Sequence, residues 1–215
     1  MNKSLLLRFG APWQAWGNQS YYDRRTTLTN PTKSGVVGMI SSAMGIKRDN
    51  TSMIATLASI KLTSVTTKIG RIETDYQTIG GGYPDDDKMH VPRTAEGNNR
   101  QAEVYKEYLA DYEFGIVLEG PNDLIASCRD AFDDPVWWVY LGRKCCLPTP
   151  PFMLGMVDNR DQAKEFLEKQ FRVNINKCPI IRDADPNESA SDVLMDMPLD
   201  FSTRKFGSRR IRKDW

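Results

Sequence analysis

The chain has 215 residues, 40% of them hydrophobic and 27% charged, with a formal net charge of +1. That length supports one large or two small domains with a proper core. No apolar run approaches the roughly 18 residues of a membrane span, which excludes an integral helical membrane protein. Leu5-Leu6-Leu7 is broken by Arg8 with no cleavage site behind it, so a secretory signal is not expected. Four cysteines (Cys128, Cys145, Cys146 and Cys178) form no C-x-x-C pair and have no companion histidine. Neither a zinc site nor a secreted disulfide framework is expected, and the compartment reads as cytosolic.

Along the chain, Ser4 to Phe9 predicts a first strand, followed by a loop over 10–30 too long to be a mere connector. A helix begins near Asn30-Pro31-Thr32, where Asn or Thr can cap it. Val36, Val37, Ile40, Ala43 and Met44 recur at helical spacing, and Gly45 stops it. Residues 51–58 predict a second short helix; Ile60 to Ile69 and Ile72 to Ile79 predict strands. From Gly80 to Arg100 three consecutive glycines, three aspartates and two prolines leave little that packs, so this segment is a disordered loop or an extended hairpin arm. Strands return at Glu103 to Leu109 and Glu113 to Leu118. Pro121 to Phe132 predicts a helix with Asn122 as a possible cap. Val136 to Leu141 predicts an aromatic strand that points one of Trp137 and Trp138 into the core. Asp161 to Gln170 predicts a helix, 183–192 an acidic loop, and Phe201 to Ile211 a closing basic strand or hairpin. The order strand, helix, strand, strand, then strand, helix, strand fits an α+β, ferredoxin-like (RRM-like) β-α-β-β-α-β domain with an arm inserted at its middle over 80–100.

The near-zero net charge conceals a segregation. Residues 1–48 hold seven basic residues against one acidic, and residues 204–215 six against one, while the middle holds 16 basic and 26 acidic. If the ends meet in the fold they form a basic face suited to a polyanion; the alternative is a solvated tail and ordinary surface charge.

Thr32-Lys33-Ser34-Gly35 invites comparison with a phosphate-binding P-loop, but threonine stands at 27 and 32, where that pattern needs glycine. A helix N-terminus bearing Lys33 and Ser34 still suits one phosphate; the plainer reading is a capped helix with an exposed lysine. Trp13, Trp16, Tyr21 and Tyr22 lie between Arg8 and Arg24-Arg25, an interleaving that suits base stacking plus phosphate contact, with Trp16 the best candidate for the core. His90 is the single histidine, and any histidine-based acyl transfer or His-rich metal site must run through it. With Tyr76, Tyr83 or Lys88 it could supply metal-free RNA cleavage; an exposed loop histidine without a role is the plainer reading. Asp85-Asp86-Asp87 lacks the spaced ligands of a calcium loop.

Three segments together resemble a known family. Leu5 to Gly17, reading LLLRFGAPWQAWG, is followed by Arg24-Arg25-Thr26-Thr27 and then by Pro31 to Ile40, reading PTKSGVVGMI, with Ala43-Met44-Gly45 behind it. This resembles the N-terminal signature of the CasD family, the subunit of the type I CRISPR surveillance complex (Cascade) that holds the guide RNA's 5′ handle. Tyr140 to Cys146, reading YLGRKCC, with Pro148 and Pro150, resembles the type I-E branch. The resemblance implies a RAMP-superfamily ferredoxin-like domain over 1–135, an inserted β-hairpin thumb at about 80–100, and a small β-rich C-terminal subdomain over 136–215. It implies a noncatalytic RNA-binding subunit with no cofactor and no metal. Its partners are the crRNA 5′ handle, the backbone subunit CasC and the large subunit CasA, with target DNA reached only through the complex and no membrane. RNA-contacting residues are expected at Arg8, Trp13, Arg24, Arg25, Lys33, Ser34, Arg48, Arg93, Arg143 and Lys144. The alternative is the type I-C branch, whose equivalent subunit is a metal-independent endoribonuclease with a tyrosine, lysine and histidine constellation.

Overall fold

The structure, a computed structural model, describes residues 2–17, 23–79 and 102–215. The 80–100 arm, with Tyr83, Lys88, His90 and Arg93, and the pair Tyr21-Tyr22 lie outside the described residues.

In chain order the elements are β1 (Asn2–Gly10), β2 (Trp13–Gln14), β3 (Arg24–Arg25), α1 (Lys33–Ala43), α2 (Thr51–Ala58), β4 (Lys61–Lys68) and β5 (Arg71–Ile79). They continue with β6 (Ala102–Ala110), β7 (Glu113–Pro121), α3 (Asn122–Asp133), β8 (Met153–Val157), α4 (Arg160–Phe171), β9 (Ile180–Asp183), β10 (Asp192–Asp200) and β11 (Lys205–Arg212). The main sheet runs β10-β11-β9-β4-β7-β1-β8. Within it, each neighbouring pair of β4-β7-β1-β8 is antiparallel, with α1 between β1 and β4 and α3 between β7 and β8, which is the ferredoxin-like arrangement.

Both faces of this sheet are covered, which is why β1 carries the consecutive apolar residues Leu5, Leu6 and Leu7 rather than an alternating pattern. Leu5, Leu7 and Phe9 pack with α1, α2 and α3, alongside Ile116 and Leu118 of β7. Leu6 points the other way, joining Val65, Val117 and the α4 residues Ala163 and Leu167. A smaller sheet is built on β6, which pairs with β5 from Arg71↔Ala110 to Ile79↔Ala102 and also with the short β2 and β3.

Three expectations are corrected. The fourth ferredoxin strand is Met153–Val157, not Val136 to Leu141. The 136–141 segment has strand-forming residues, but its backbone docks on the end of α1: Val136 N donates to Ala43 O at 2.9 Å and Trp137 N to Ser42 O at 3.3 Å. Those carbonyls belong to the last turn, where Ser42 O also accepts from Gly45 N at 3.2 Å, and the docking satisfies Ala43 O at the expense of sheet pairing. Secondly, the strands within 136–215, expected as a small β-rich subdomain, all join the main sheet. Strand β8 extends one edge of the main sheet, while β9, β11 and β10 extend the other. Thirdly, Asn122 does not cap α3; it is the first helical residue, behind Pro121, and the cap makes no side-chain hydrogen bond.

Candidate nucleic-acid interface

Helix α1 is the floor of a groove of about 1110 Å³. Thr32 caps the helix, its Oγ1 accepting from Gly35 N at 3.2 Å. Gly35, Gly38 and Ser42 recur at i, i+3 and i+7 on the groove side, so the helix offers a low, nearly bare surface. At its C-terminus Gly45 takes a left-handed φ of 69°, and Val136 lies against it. From there Trp137 and Trp138 extend along one wall, 50% and 82% exposed, so neither enters the core as a strand residue would.

The opposite wall is the turn between β10 and β11. Asp200 gathers that turn, accepting from the backbone N–H of Ser202 (2.7 Å) and Thr203 (3.3 Å) and from both hydroxyls. These bonds hold its carboxyl down to about 2. Arg204, at φ 54°, closes the turn, with Phe201 and Phe206 lining the groove beside it.

Arg48, Lys144 and Arg204 line the same groove, and no aspartate or glutamate among the described residues does. All three are exposed, and none makes an ion pair among the described residues. The site therefore joins fixed positive charge to broad aromatic surface, the combination that holds single-stranded nucleic acid through phosphates and stacked bases.

Of the ten residues expected to touch RNA, Ser34, Arg48 and Lys144 meet at the groove. Trp13 and Arg143 form a second cluster: Trp13 stacks on Tyr108 at 4.6 Å, and the Arg143 guanidinium lies 4.4 Å from the same ring. Arg143 also donates to the carbonyls of Glu107 and Arg25, both at 3.0 Å, so it is a fixed strut rather than a mobile clamp. Arg24 and Arg25 are exposed, with the Arg24 guanidinium 5.5 Å from the ring of Tyr105. Tyr105 and Tyr108, three apart on β6, sit on opposite faces of that strand. Arg8 is spoken for: its Nε bonds to Glu113 at 2.5 Å and its Nη1 to Pro150 O at 3.2 Å. Arg93 lies outside the described residues.

Lys33 is the principal correction. It is 2% exposed, and its Nζ donates to Asp183 Oδ2 at 2.6 Å and to Ile60 O. The α1 N-terminus is filled as well, since Lys33 N donates to Asp196 Oδ2 at 2.8 Å. An internal carboxylate thus sits where a phosphate was expected, satisfying the same free N–H and the same dipole. Arg209 completes the cluster, bonding Asp196 twice at 2.7 Å and Asp183 once at 2.6 Å. Burial pushes the Lys33 ammonium below its ordinary value, more than the single close carboxylate restores. Burial would raise the Asp183 carboxyl, but the two cations Lys33 and Arg209 outweigh it and hold it low.

The segregated charge is consumed in the same way. Arg209 and Lys33 share that buried cluster, Lys213 pairs with Asp192, Arg212 with Asp214, and Lys3 with Asp158. Of the C-terminal basic residues, only Arg204 and Lys205 form neither an ion pair nor a side-chain bond to a carbonyl among the described residues. The groove residues missed from sequence were Trp137 and Trp138, read as a core strand, and Phe201, Arg204 and Phe206, whose partner wall is more than 50 residues away.

A family model described as CRISPR-associated protein (Cas_Cas5) matches residues 4–212. The chain belongs to the CRISPR-associated Cas5 family. Among curated proteins, the CRISPR system Cascade subunit CasD of Escherichia coli (strain K12) is 27% identical, over 97% of this chain and 94% of that protein. A chain of a solved CRISPR RNA-guided surveillance complex superposes with a TM-score of 0.75 at 29% identity, covering 97% of this chain and 88% of that one. A crystal structure of a Cas protein gives 0.69 at 27% identity, covering 97% and 92%. The α+β architecture is the one expected from the sequence, and the CasD resemblance read from its motifs agrees with the family and with the curated relative.

Proposed function

We propose that this chain is a noncatalytic RNA-binding subunit of a Cascade-type surveillance complex, holding and capping the 5′ handle of the guide RNA. The observation that carries this reading is the groove: among the described residues it is lined by three cations without ion-pair partners and by aromatic rings, with no carboxylate, in a chain whose curated relative is a Cascade subunit. Arg48, Lys144 and Arg204 neutralise handle phosphates, while Trp137, Trp138, Phe201 and Phe206 offer surfaces for unstacked bases. Each stacked base contributes about 1–3 kcal/mol. Phosphate contacts set register, and preference for the handle's sequence comes from base edges, since phosphates carry none. Following the resemblance, the neighbours are the backbone subunit CasC and the large subunit CasA in the cytoplasm; target DNA is met through the assembly, and no cofactor is required.

The test is incubation of the full chain with labelled CRISPR repeat RNA in the absence of metal, read on a denaturing gel and by a binding assay. Intact RNA with salt-sensitive binding is expected. A single specific cut, lost in His90→Ala, would overturn the noncatalytic assignment in favour of an endoribonuclease.

A further inference from the structure

The loop from Leu141 to Cys146 carries an adjacent cysteine pair that RNA binding does not employ. Cys145 is exposed and Cys146 buried, and their Sγ atoms stand 3.9 Å apart, in van der Waals contact. Neighbouring side chains on an extended strand point to opposite faces. Here a tight turn brings them together: Leu141 N donates to Cys146 O at 2.7 Å and Cys146 N to Arg143 O at 2.8 Å. Gly142 makes the turn possible with a φ of 90°, its Cα pressed so close to Ala15 O that a Cβ would lie 1.6 Å from it.

We propose that Cys145 and Cys146 are a reactive dithiol that closes to a vicinal disulfide by exchange with a low-molecular-weight disulfide, and that closure loosens the Arg143 strut, which stands between the groove-lining Gly142 and Lys144. Exposed Cys145 reacts first: its thiolate attacks one sulfur of the small disulfide, forming a mixed disulfide and releasing one small thiol. Cys146, having lost its proton to solvent, then attacks Cys145 Sγ and expels the second small thiol. The two protein thiols are oxidised by two electrons and the small disulfide is reduced to two thiols. Burial pushes the Cys146 thiol up to about 12, which leaves the first attack to exposed Cys145 and makes the Cys146 step, with its sulfur already 3.9 Å from Cys145 Sγ, the slower one.

Closure shortens the sulfur separation from 3.9 Å to about 2.05 Å. The change falls on a loop with little slack. Cys145 Sγ touches the Tyr108 hydroxyl at 3.8 Å, and Tyr108 is the ring beneath Arg143. Drawing Cys145 toward Cys146 pulls on both the Tyr108 contact and the Arg143 carbonyl that Cys146 N holds. Lys144, one residue before the pair, lines the groove, so the modification reaches RNA binding; that part of the inference rests on the proposed RNA-holding role.

The test uses the reduced full chain incubated with oxidised glutathione, alkylated without reduction and mapped by mass. The tryptic peptide beginning at Cys145 is expected to lose two hydrogens, reversibly on adding dithiothreitol, while Cys146→Ser stops at a glutathione adduct on Cys145. A stable adduct on Cys145 in the unaltered chain, or no modification there, would overturn the dithiol. In a parallel RNA-binding assay, affinity is expected to fall severalfold on closure and to recover on reduction. Closure with unchanged affinity would overturn the coupling to Arg143. Absence of RNA binding by the reduced chain, with closure still observed, would refute the RNA-holding role instead and leave the dithiol chemistry supported.

Discussion

Replacing Lys33 by methionine separates a buried structural cation from a phosphate contact. The substitution keeps a long unbranched side chain and removes the ammonium that Asp183 and Ile60 O share. Asp183 does not become orphaned, because it still accepts from Arg209 at 2.6 Å and from Leu62 N at 2.9 Å. Removing one member of a buried ion pair costs about 3–5 kcal/mol when nothing replaces it. With two of three donors retained and the desolvation of Lys33 itself relieved, the expected loss is nearer 2–3 kcal/mol, roughly 4–12 °C in melting temperature for a chain of this size. The assay pairs thermal unfolding with RNA binding across a salt series at a temperature where the variant is folded. Stability should fall while the salt dependence of binding stays as it was. Unchanged stability together with a salt slope reduced by about one phosphate's worth would refute the reasoning and return Lys33 to the RNA.

Three further outcomes follow from the same geometry. Trp138→Ala should leave the melting temperature nearly untouched, since the ring is 82% exposed, yet weaken RNA binding by about 1–3 kcal/mol in a titration if a base stacks there. Gly142→Ala should cost about 2 kcal/mol or more in chemical denaturation, from the left-handed φ and the overlap with Ala15 O. Because the folded state depresses the Asp183 carboxyl, its contribution is present above the ordinary carboxylate range near pH 4 and is lost as pH falls through its lowered value. The stability gap between the natural chain and Asp183→Asn, followed by denaturant melts, should therefore be constant from about pH 7 to 5 and shrink below about pH 4.

Much of the architecture was legible because local signals agreed with the fold. The Thr32 cap, the apolar spacing from Val36 to Met44 and Gly45 mark α1 within a residue or two of its observed span, Lys33–Ala43. The unbroken Leu5-Leu6-Leu7 run is what a strand covered on both faces requires. The errors came where distant groups decide. Val136 to Leu141 has the residues of a strand, but the last-turn carbonyls of α1 capture its backbone. The true fourth strand, Met153–Val157, is five residues with Gly155 at its centre and carries little pattern of its own. Strand β10, with three aspartates and Pro198, carries no strand pattern of its own, and its place is clear only once Asp196 is seen to serve α1 and Arg209. A lysine at a helix start looks identical whether a phosphate or a carboxylate 163 residues away completes it. The same blindness hid half the groove: Arg204 and Phe206 become site residues only when the β10–β11 turn folds over α1.

The most direct test of the central claim is retention of guide RNA by the assembled complex carrying Arg48→Ala, Lys144→Ala and Arg204→Ala together. Each cation withdrawn from a phosphate of a single strand lowers the log–log salt slope by about 0.7, so the triple variant should be shallower by about 2 and release RNA at salt concentrations where the natural complex holds it. An unchanged slope and unchanged retention, with the complex still assembled, would contradict the assignment of the groove to RNA.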